Sequence, residues 1–173
     1  MTQPVRTVLF GLGAIGVGIG RLAAQRRDLQ IVAAIDSAPD KAGRPLSDIL
    51  GPSPNGRSEP IIVADAELAL AETRPQVVLH ATGSYLPDVL PQLIACCRAG
   101  VNVVSTCEEL SYPWKRHPEL AKQIDAEAKA GGATVLGTGV NPGFVMDTLA
   151  VVLSGVCQRV ERVRLARLVE GLP

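Results

Sequence analysis

A run of glycines and a few acidic positions carry the types and spacing from which chemistry could be built. Gly11-Leu12-Gly13-Ala14-Ile15-Gly16 has the spacing G-x-G-x-x-G. Glycines so placed permit a tight turn at Gly11, close approach of an anion to the backbone at Gly13, and close helix–strand packing at Gly16. The amides of this turn, including those of Ala14 and Ile15, would hold a pyrophosphate at a helix N-terminus. Asp36 stands 20 residues beyond Gly16, where an acid bonds the ribose hydroxyls of a dinucleotide. An acid there repels a 2′-phosphate, which favours NAD. Ser37, Lys41 and Arg44 come after it and could hold such a phosphate, so NADP stays open. No Gly-Lys-Ser/Thr succeeds the glycines, which argues against a nucleoside-triphosphate loop.

Three further stretches have residue types that suit a site. In His80-Ala81-Thr82-Gly83-Ser84-Tyr85, Thr82 and Gly83 would let a ribose or nicotinamide pass close by, and His80 reads as a satisfied strand histidine rather than a proton carrier. Ser105-Thr106-Cys107-Glu108-Glu109 ends in two acids. A carboxylate partly desolvated beside a nicotinamide would have a raised pKa and act as a general base. Successive residues leaving a strand point opposite ways, so one of the two should face the ring, and the pattern alone barely separates them. Gly137-Thr138-Gly139-Val140-Asn141-Pro142-Gly143-Phe144 offers glycines and an Asn amide as a wall against a ring, or a strand-to-helix turn and no more.

The elements that would position these residues alternate along the chain. Val5–Phe10, 30–36, 61–63, 77–81, 102–106 and 133–137 read as strands. Their continuous apolar runs suit strands buried on both faces of a parallel sheet. Between them, 14–25, 66–72, 86–98 and 118–130 read as helices, and 144–156 as a final one. In the first helix Ile15, Ile19, Leu22 and Ala23 share a face. Strand–helix repetition of this kind marks a doubly wound α/β fold of the Rossmann type, with ligands at the carboxyl edge of the sheet. Residues 44–60, with four prolines, read as a surface excursion. The segment 160–170 fits a strand or a helix. Residues 1–158 are expected to form the dinucleotide-binding domain and 159–173 the entrance to a second domain.

Composition narrows the function. The chain has 173 residues, 47% hydrophobic and 20% charged, with a net charge of +0. That suits a globular core and advertises neither nucleic acid nor anionic lipid. The apolar run 8–20 resembles a signal-peptide core but contains Gly11, Gly13, Gly16, Gly18 and Gly20, and it is shorter than the roughly 20 residues of a membrane span. The expected location is the cytoplasm. Cys96, Cys97, Cys107 and Cys157 lack metal-ligand spacing, so no metal is expected and the thiols read as reduced.

GLGAIG, STCEELSYPW and GTGVNPGFVMDTLA together resemble the amine dehydrogenases related to 2,4-diaminopentanoate dehydrogenase. More distantly they resemble the cofactor domain of dihydrodipicolinate reductase. The resemblance runs from about Val5 to Val169. It implies NAD(P)-dependent oxidative deamination of a small amine, or reductive amination of a ketone or aldehyde with ammonia. It assigns the general base to Glu108, the residue near the nicotinamide to Asn141, and the substrate wall to Asn141, Phe144 and Val145. Members of the family are roughly twice this length, and a homodimer is expected of the longer form. Two other readings are an imine reductase of the dihydrodipicolinate reductase type and a non-catalytic dinucleotide-binding module. Against the first, His80 and His117 stand alone, without a His-His-rich segment and following lysine.

Overall fold

The computed structural model describes residues 3–52, 60–166 and 168. Six parallel strands form one sheet, β1 (Val5–Phe10), β2 (Leu29–Ile35), β3 (Ile62–Val63), β4 (Val77–His80), β5 (Asn102–Ser105) and β6 (Val135–Gly137), in the order β3-β2-β1-β4-β5-β6. The order reverses between β1 and β4, as in a doubly wound Rossmann sheet. The helices are α1 (Ala14–Gln25), α2 (Ser47–Leu50), α3 (Ala66–Thr73), α4 (Leu86–Arg98), α5 (Pro113–Arg116), α6 (Pro118–Gly131) and α7 (Leu149–Ser154). None of the described helices is long and apolar enough to cross a membrane.

Alternation along the central strands builds two cores. Val8 and Phe10 of β1, Ile35 of β2 and Val78 of β4 join Leu86 and Leu93 of α4 and Ile124 of α6 on one face. Leu9 and Ala34 join Leu12, Leu46 and Ile62 on the other. Successive side chains point to opposite faces of a strand, so an unbroken apolar run serves both. Leu46 draws part of the 44–60 excursion inward, because its amide donates to Pro60 O at 3.0 Å and its side chain is buried. Residues 53–59 of that excursion lie outside the described residues.

The structure revises the packing face expected of α1. Its buried residues are Gly16, Gly20 and Ala23, whereas Ile15 and Leu22 are exposed. The cause is distance. A Cβ on Gly16 would lie 1.9 Å from Gly11 O, and one on Gly20 would lie 2.9 Å from Leu9 Cδ1. The helix lies too close to the sheet for branched side chains on that side.

The last expected helix is also shorter than its pattern. Asn141, Pro142 and Gly143 hold non-helical conformations inside a wide turn over Val140–Thr148, and the regular helix begins only at Leu149. The turn is closed by local bonds. Gly143 N–H donates to Asp147 Oδ2 at 2.7 Å, and Thr148 Oγ1 donates to Gly143 O at 3.0 Å. Within 160–170, residues 160–166 and 168 form neither strand nor helix. A strand needs a neighbour to complete its ladder, and none of the described strands pairs with this segment. The remainder of that expectation, 167 and 169–170, lies outside the described residues.

Two glycines differ in what surrounds them, and substituting each should have opposite effects. A Cβ on Gly131 would lie 1.9 Å from Cys97 O, which is backbone, whereas one on Gly18 would meet nothing within 4 Å. Gly131→Ala should lower unfolding free energy by about 1–3 kcal/mol. Gly18→Ala should raise it by about 0.5–1 kcal/mol through lost chain entropy in a helix interior. Urea unfolding of both variants checks the pair.

Candidate active site

Each central strand hands its chain to the carboxyl edge through a bond to its neighbour. Ala81 N–H donates to Phe10 O at 2.7 Å, Gly11 N–H to Ile35 O at 2.8 Å, Thr106 N–H to His80 O at 3.0 Å and Thr138 N–H to Ser105 O at 2.9 Å. The loops that carry the candidate residues are therefore set in register by the sheet itself.

The glycine turn has the shape of an anion cradle. Gly11 has φ +93°, and a Cβ there would lie 2.5 Å from Ala81 O and 2.9 Å from Thr82 Cγ2. Gly13 precedes α1 with no side-chain cap, and the first helical bond runs from Val17 N–H to Gly13 O. The amides of the first turn are thus left for an external acceptor. A Cβ on Gly13 would point into open space, on the wall of a cavity of about 630 Å³. Gly13, Ala14, Ile15, Thr82, Gly83, Glu108 and Asn141 all line this cavity. The residues present fit a dinucleotide, whose pyrophosphate would sit where the missing side chain leaves room.

Asp36 lies just beyond β2 and anchors the turn. Its Oδ2 accepts from Leu12 N–H at 2.7 Å and from Lys41 Nζ at 3.1 Å, and its Oδ1 accepts from Ala38 N–H at 2.9 Å. Partial burial pushes its pKa up, but the Ala38 and Leu12 amides and Lys41 outweigh that and hold it below the ordinary value. Lys41 is thus committed to Asp36. Arg44 turns away to Asp48, at 3.1 Å. Ser37 is exposed beside them.

The two adjacent acids have different surroundings. Glu109 Oε2 accepts from Leu86 N–H, the first amide of α4, at 2.9 Å, and pairs with His117 Nε2 at 2.9 Å. Its Oε1 lies 2.8 Å from Arg116 Nη1, an ion pair without hydrogen-bond alignment. The Leu86 amide is the largest influence on Glu109, and with His117 and Arg116 it holds the carboxyl below its usual range against the opposing effect of burial. Glu108 is exposed, and its carboxylate makes no hydrogen bond or ion pair among the described residues. It lines the cavity over the glycine turn and also a second one of about 700 Å³, whose walls include Tyr112, Arg116, Thr138, Pro142, Asp147 and Thr148. The sequence predicts a partly desolvated carboxylate at Glu108; in the structure it lies open at the junction of the two cavities.

The remaining expected residues divide. Asn141 and Pro142, joined by a cis peptide bond, reach the cavity over the glycine turn. Phe144 and Val145 line neither cavity, and Phe144 is 57% exposed. The wide turn carries them past the site and presents Gly143, Asp147 and Thr148 instead. Sequence reasoning did not single out Asp147 and Arg116, which line the second cavity. The spacing of Gly143 and Asp147 was a signal, because an acid four residues after a glycine can accept its amide. Arg116 reaches Glu109 seven residues earlier, a spacing that carried no recognisable motif.

This arrangement has counterparts among known proteins, although no family model matches the chain. It is 34% identical over 170 residues to 2,4-diaminopentanoate dehydrogenase of Acetoanaerobium sticklandii, covering 98% of this chain and 47% of that one. A solved amine dehydrogenase from Mycobacterium smegmatis superposes with a TM-score of 0.78 at 38% identity, over 90% of this chain and 45% of that one. The chain is a partial-length homologue of the amine dehydrogenases. A dihydrodipicolinate reductase from Paenisporosarcina sp. TG-14, at 17% identity and a TM-score of 0.53, shares the fold. The chain spans about half the length of the amine dehydrogenase relatives it matches.

In this amine dehydrogenase homologue, the setting of Glu109 gives a pH dependence with a definite sign. Its folded-state pKa lies below the ordinary 4.5, so the unfolded chain binds the proton more readily. The stability it contributes is complete above that ordinary value and is lost as pH falls through the lowered one. Glu109→Gln should therefore be less stable than the parent at neutral pH, and the gap should narrow in acid. Urea unfolding of the two proteins across that range measures it; a gap independent of pH refutes it.

Proposed function

We propose that this chain is the dinucleotide-binding half of an NAD(P)-dependent amine dehydrogenase that interconverts a small amine with a ketone or aldehyde and ammonia. The observation that carries the reading is the position of Glu108, exposed and lining both the cavity over the glycine turn and the second cavity. A nicotinamide dinucleotide, when bound, supplies the hydride acceptor or donor for the carbon that bears nitrogen. The amides of Gly13, Ala14, Ile15 and Gly16 hold the pyrophosphate. Thr82, Gly83 and Asn141 flank the ring end. Glu108 takes a proton from ammonium in the aminating direction, and from water in the deaminating one.

For the adenosine end, Asp36 supports NAD over NADP. Its carboxylate is already fixed beside the glycine turn by Leu12, Ala38 and Lys41. A ribose diol can donate to its remaining lone pairs, whereas a 2′-phosphate meets its charge. Lys41 offers a partial counterweight, so the preference is modest.

The test begins with binding. Fluorescence titration should show the chain taking NADH more tightly than NADPH. Gly13→Val should fold normally, because its Cβ meets open space, yet weaken binding by at least about tenfold, since the side chain fills the pyrophosphate position. Parent-like affinity in folded Gly13→Val would sink the assignment.

Turnover tests the carboxylate. With ammonia and a small ketone or aldehyde, in this chain or a longer form containing it, Glu108→Gln should lose about 10²–10⁴ in rate while still binding dinucleotide. Retained turnover would remove Glu108 from the mechanism.

A further inference from the structure

His80 closes a chain of hydrogen bonds that is buried at Ser105 and reaches the surface at Gln92 and Thr82, and the proposed reaction gives the imidazole no part. It ends β4 at the centre of the sheet, is 1% exposed, and pairs in register with Ser105 of β5. Its Nδ1 lies 2.9 Å from Ser105 Oγ, and Ser105 Oγ accepts from Cys107 N–H at 3.1 Å. On its other side, Nε2 lies 2.8 Å from Gln92 Oε1 and 2.9 Å from Thr82 Oγ1. Thr82 Oγ1 donates to the same Gln92 oxygen at 2.5 Å.

With the Gln92 amide oxygen facing the ring, the donors and acceptors select one arrangement for the protons. Gln92 Oε1 only accepts, so Nε2 must carry the hydrogen. Nδ1 then accepts from the Ser105 hydroxyl, whose oxygen takes the Cys107 amide. Burial pushes the imidazole pKa down, against the Gln92 bond that raises it, and the Phe10 ring stands edge-on at 5.4 Å. The ring is held neutral in one tautomer.

We propose that His80 is a positioning residue that locks the two loops of the dinucleotide cleft to each other. Through Gln92 it orients Thr82, whose methyl lies against Gly11 and whose loop lines the cleft. Through Ser105 it fixes the amide of Cys107, the residue before Glu108. One imidazole thus sets the wall beside the glycine turn and the exit of β5 that carries the carboxylate. This rests on the reading of that cleft as the dinucleotide site.

Two measurements test it. In ¹⁵N-histidine spectra of the unaltered chain near neutral pH, the His80 signal, assigned by its loss in His80→Gln and its persistence in His117→Asn, should report the neutral Nε2–H tautomer. The Nδ1–H form overturns the network. In NADH titrations, Gln92→Leu and His80→Asn, which leave Thr82 without its oriented partner, should bind about tenfold more weakly, the effect of about one lost hydrogen bond. His80→Gln, whose amide reaches the Nε2 position, should stay within about threefold of the parent. Folded variants that all bind like the parent overturn the proposal, as do equal losses in His80→Gln and His80→Asn. If the variants do not fold, the spectrum of the unaltered chain decides. A parent that binds neither NADH nor NADPH overturns the dinucleotide reading and this role together, and an Nε2–H spectrum then locates the failure in that reading.

Discussion

At the carboxyl edge of this sheet, backbones approach one another more closely than a methyl group permits. A Cβ on Gly11 would lie 2.5 Å from Ala81 O, one on Gly16 1.9 Å from Gly11 O, and one on Gly137 2.6 Å from Leu110 O. Real Cβ atoms do not come so near backbone oxygens, so these positions exclude every residue but glycine. The first two contacts create the site itself. They let the turn after β1 fold under α1, the helix lie against the sheet with its amides forward, and the loop after β4 pass beside the cradle. Gly13, between them, is not held to glycine by the protein's own packing, since a Cβ there would meet nothing within 4 Å.

Close packing of this kind leaves little water to satisfy polar groups, and the edge is bound together by its own donors and acceptors. Ser84 O takes both Glu109 N–H, at 3.2 Å, and Cys107 Sγ, at 3.2 Å, tying the loop after β4 to the one after β5. Asp36 ties the end of β2 to the turn after β1, and Thr138 ties β6 to β5. Net, each such bond contributes about 1 kcal/mol, and leaving a buried partner unpaired costs about 1–3 kcal/mol. Their larger effect is geometric, because they remove the freedom of loops that would otherwise wander.

The elements legible in the sequence were those governed by local rules. The six strands, the glycine turn and the acid at Asp36 come from apolar runs and from spacing, and the doubly wound parallel fold comes from strand–helix alternation. What escaped was set by distance across the fold. The buried face of α1 looked like its isoleucine face by periodicity, but the sheet is too close for Ile15, so the small residues turned inward. The helix expected from Phe144 becomes regular only at Leu149, because the turn at Asn141, Pro142 and Gly143 runs on into a wider one, closed where Asp147 accepts the Gly143 amide. Phe144 and Val145 lie in that turn and line neither cavity.

The same distinction separates two acids that sequence alone could not. Glu108 and Glu109 have nearly the same chemistry, and a strand exit merely says that they diverge. Long-range partners decide the rest. Glu109 is held by the first amide of α4, by His117 and by Arg116, and every contact stabilises its charged form. A carboxylate so engaged has a lowered pKa, which makes it a weaker base. Asp36 is likewise held in its charged form by two amides and Lys41, with lone pairs left over. Glu108, at the meeting point of two cavities, has no such partner among the described residues, so its lone pairs stay available to a ligand. The fold thus fixes the neighbours of Glu108 and leaves its own side chain free, and the stabilisation of Glu109 is part of how Glu108 is presented.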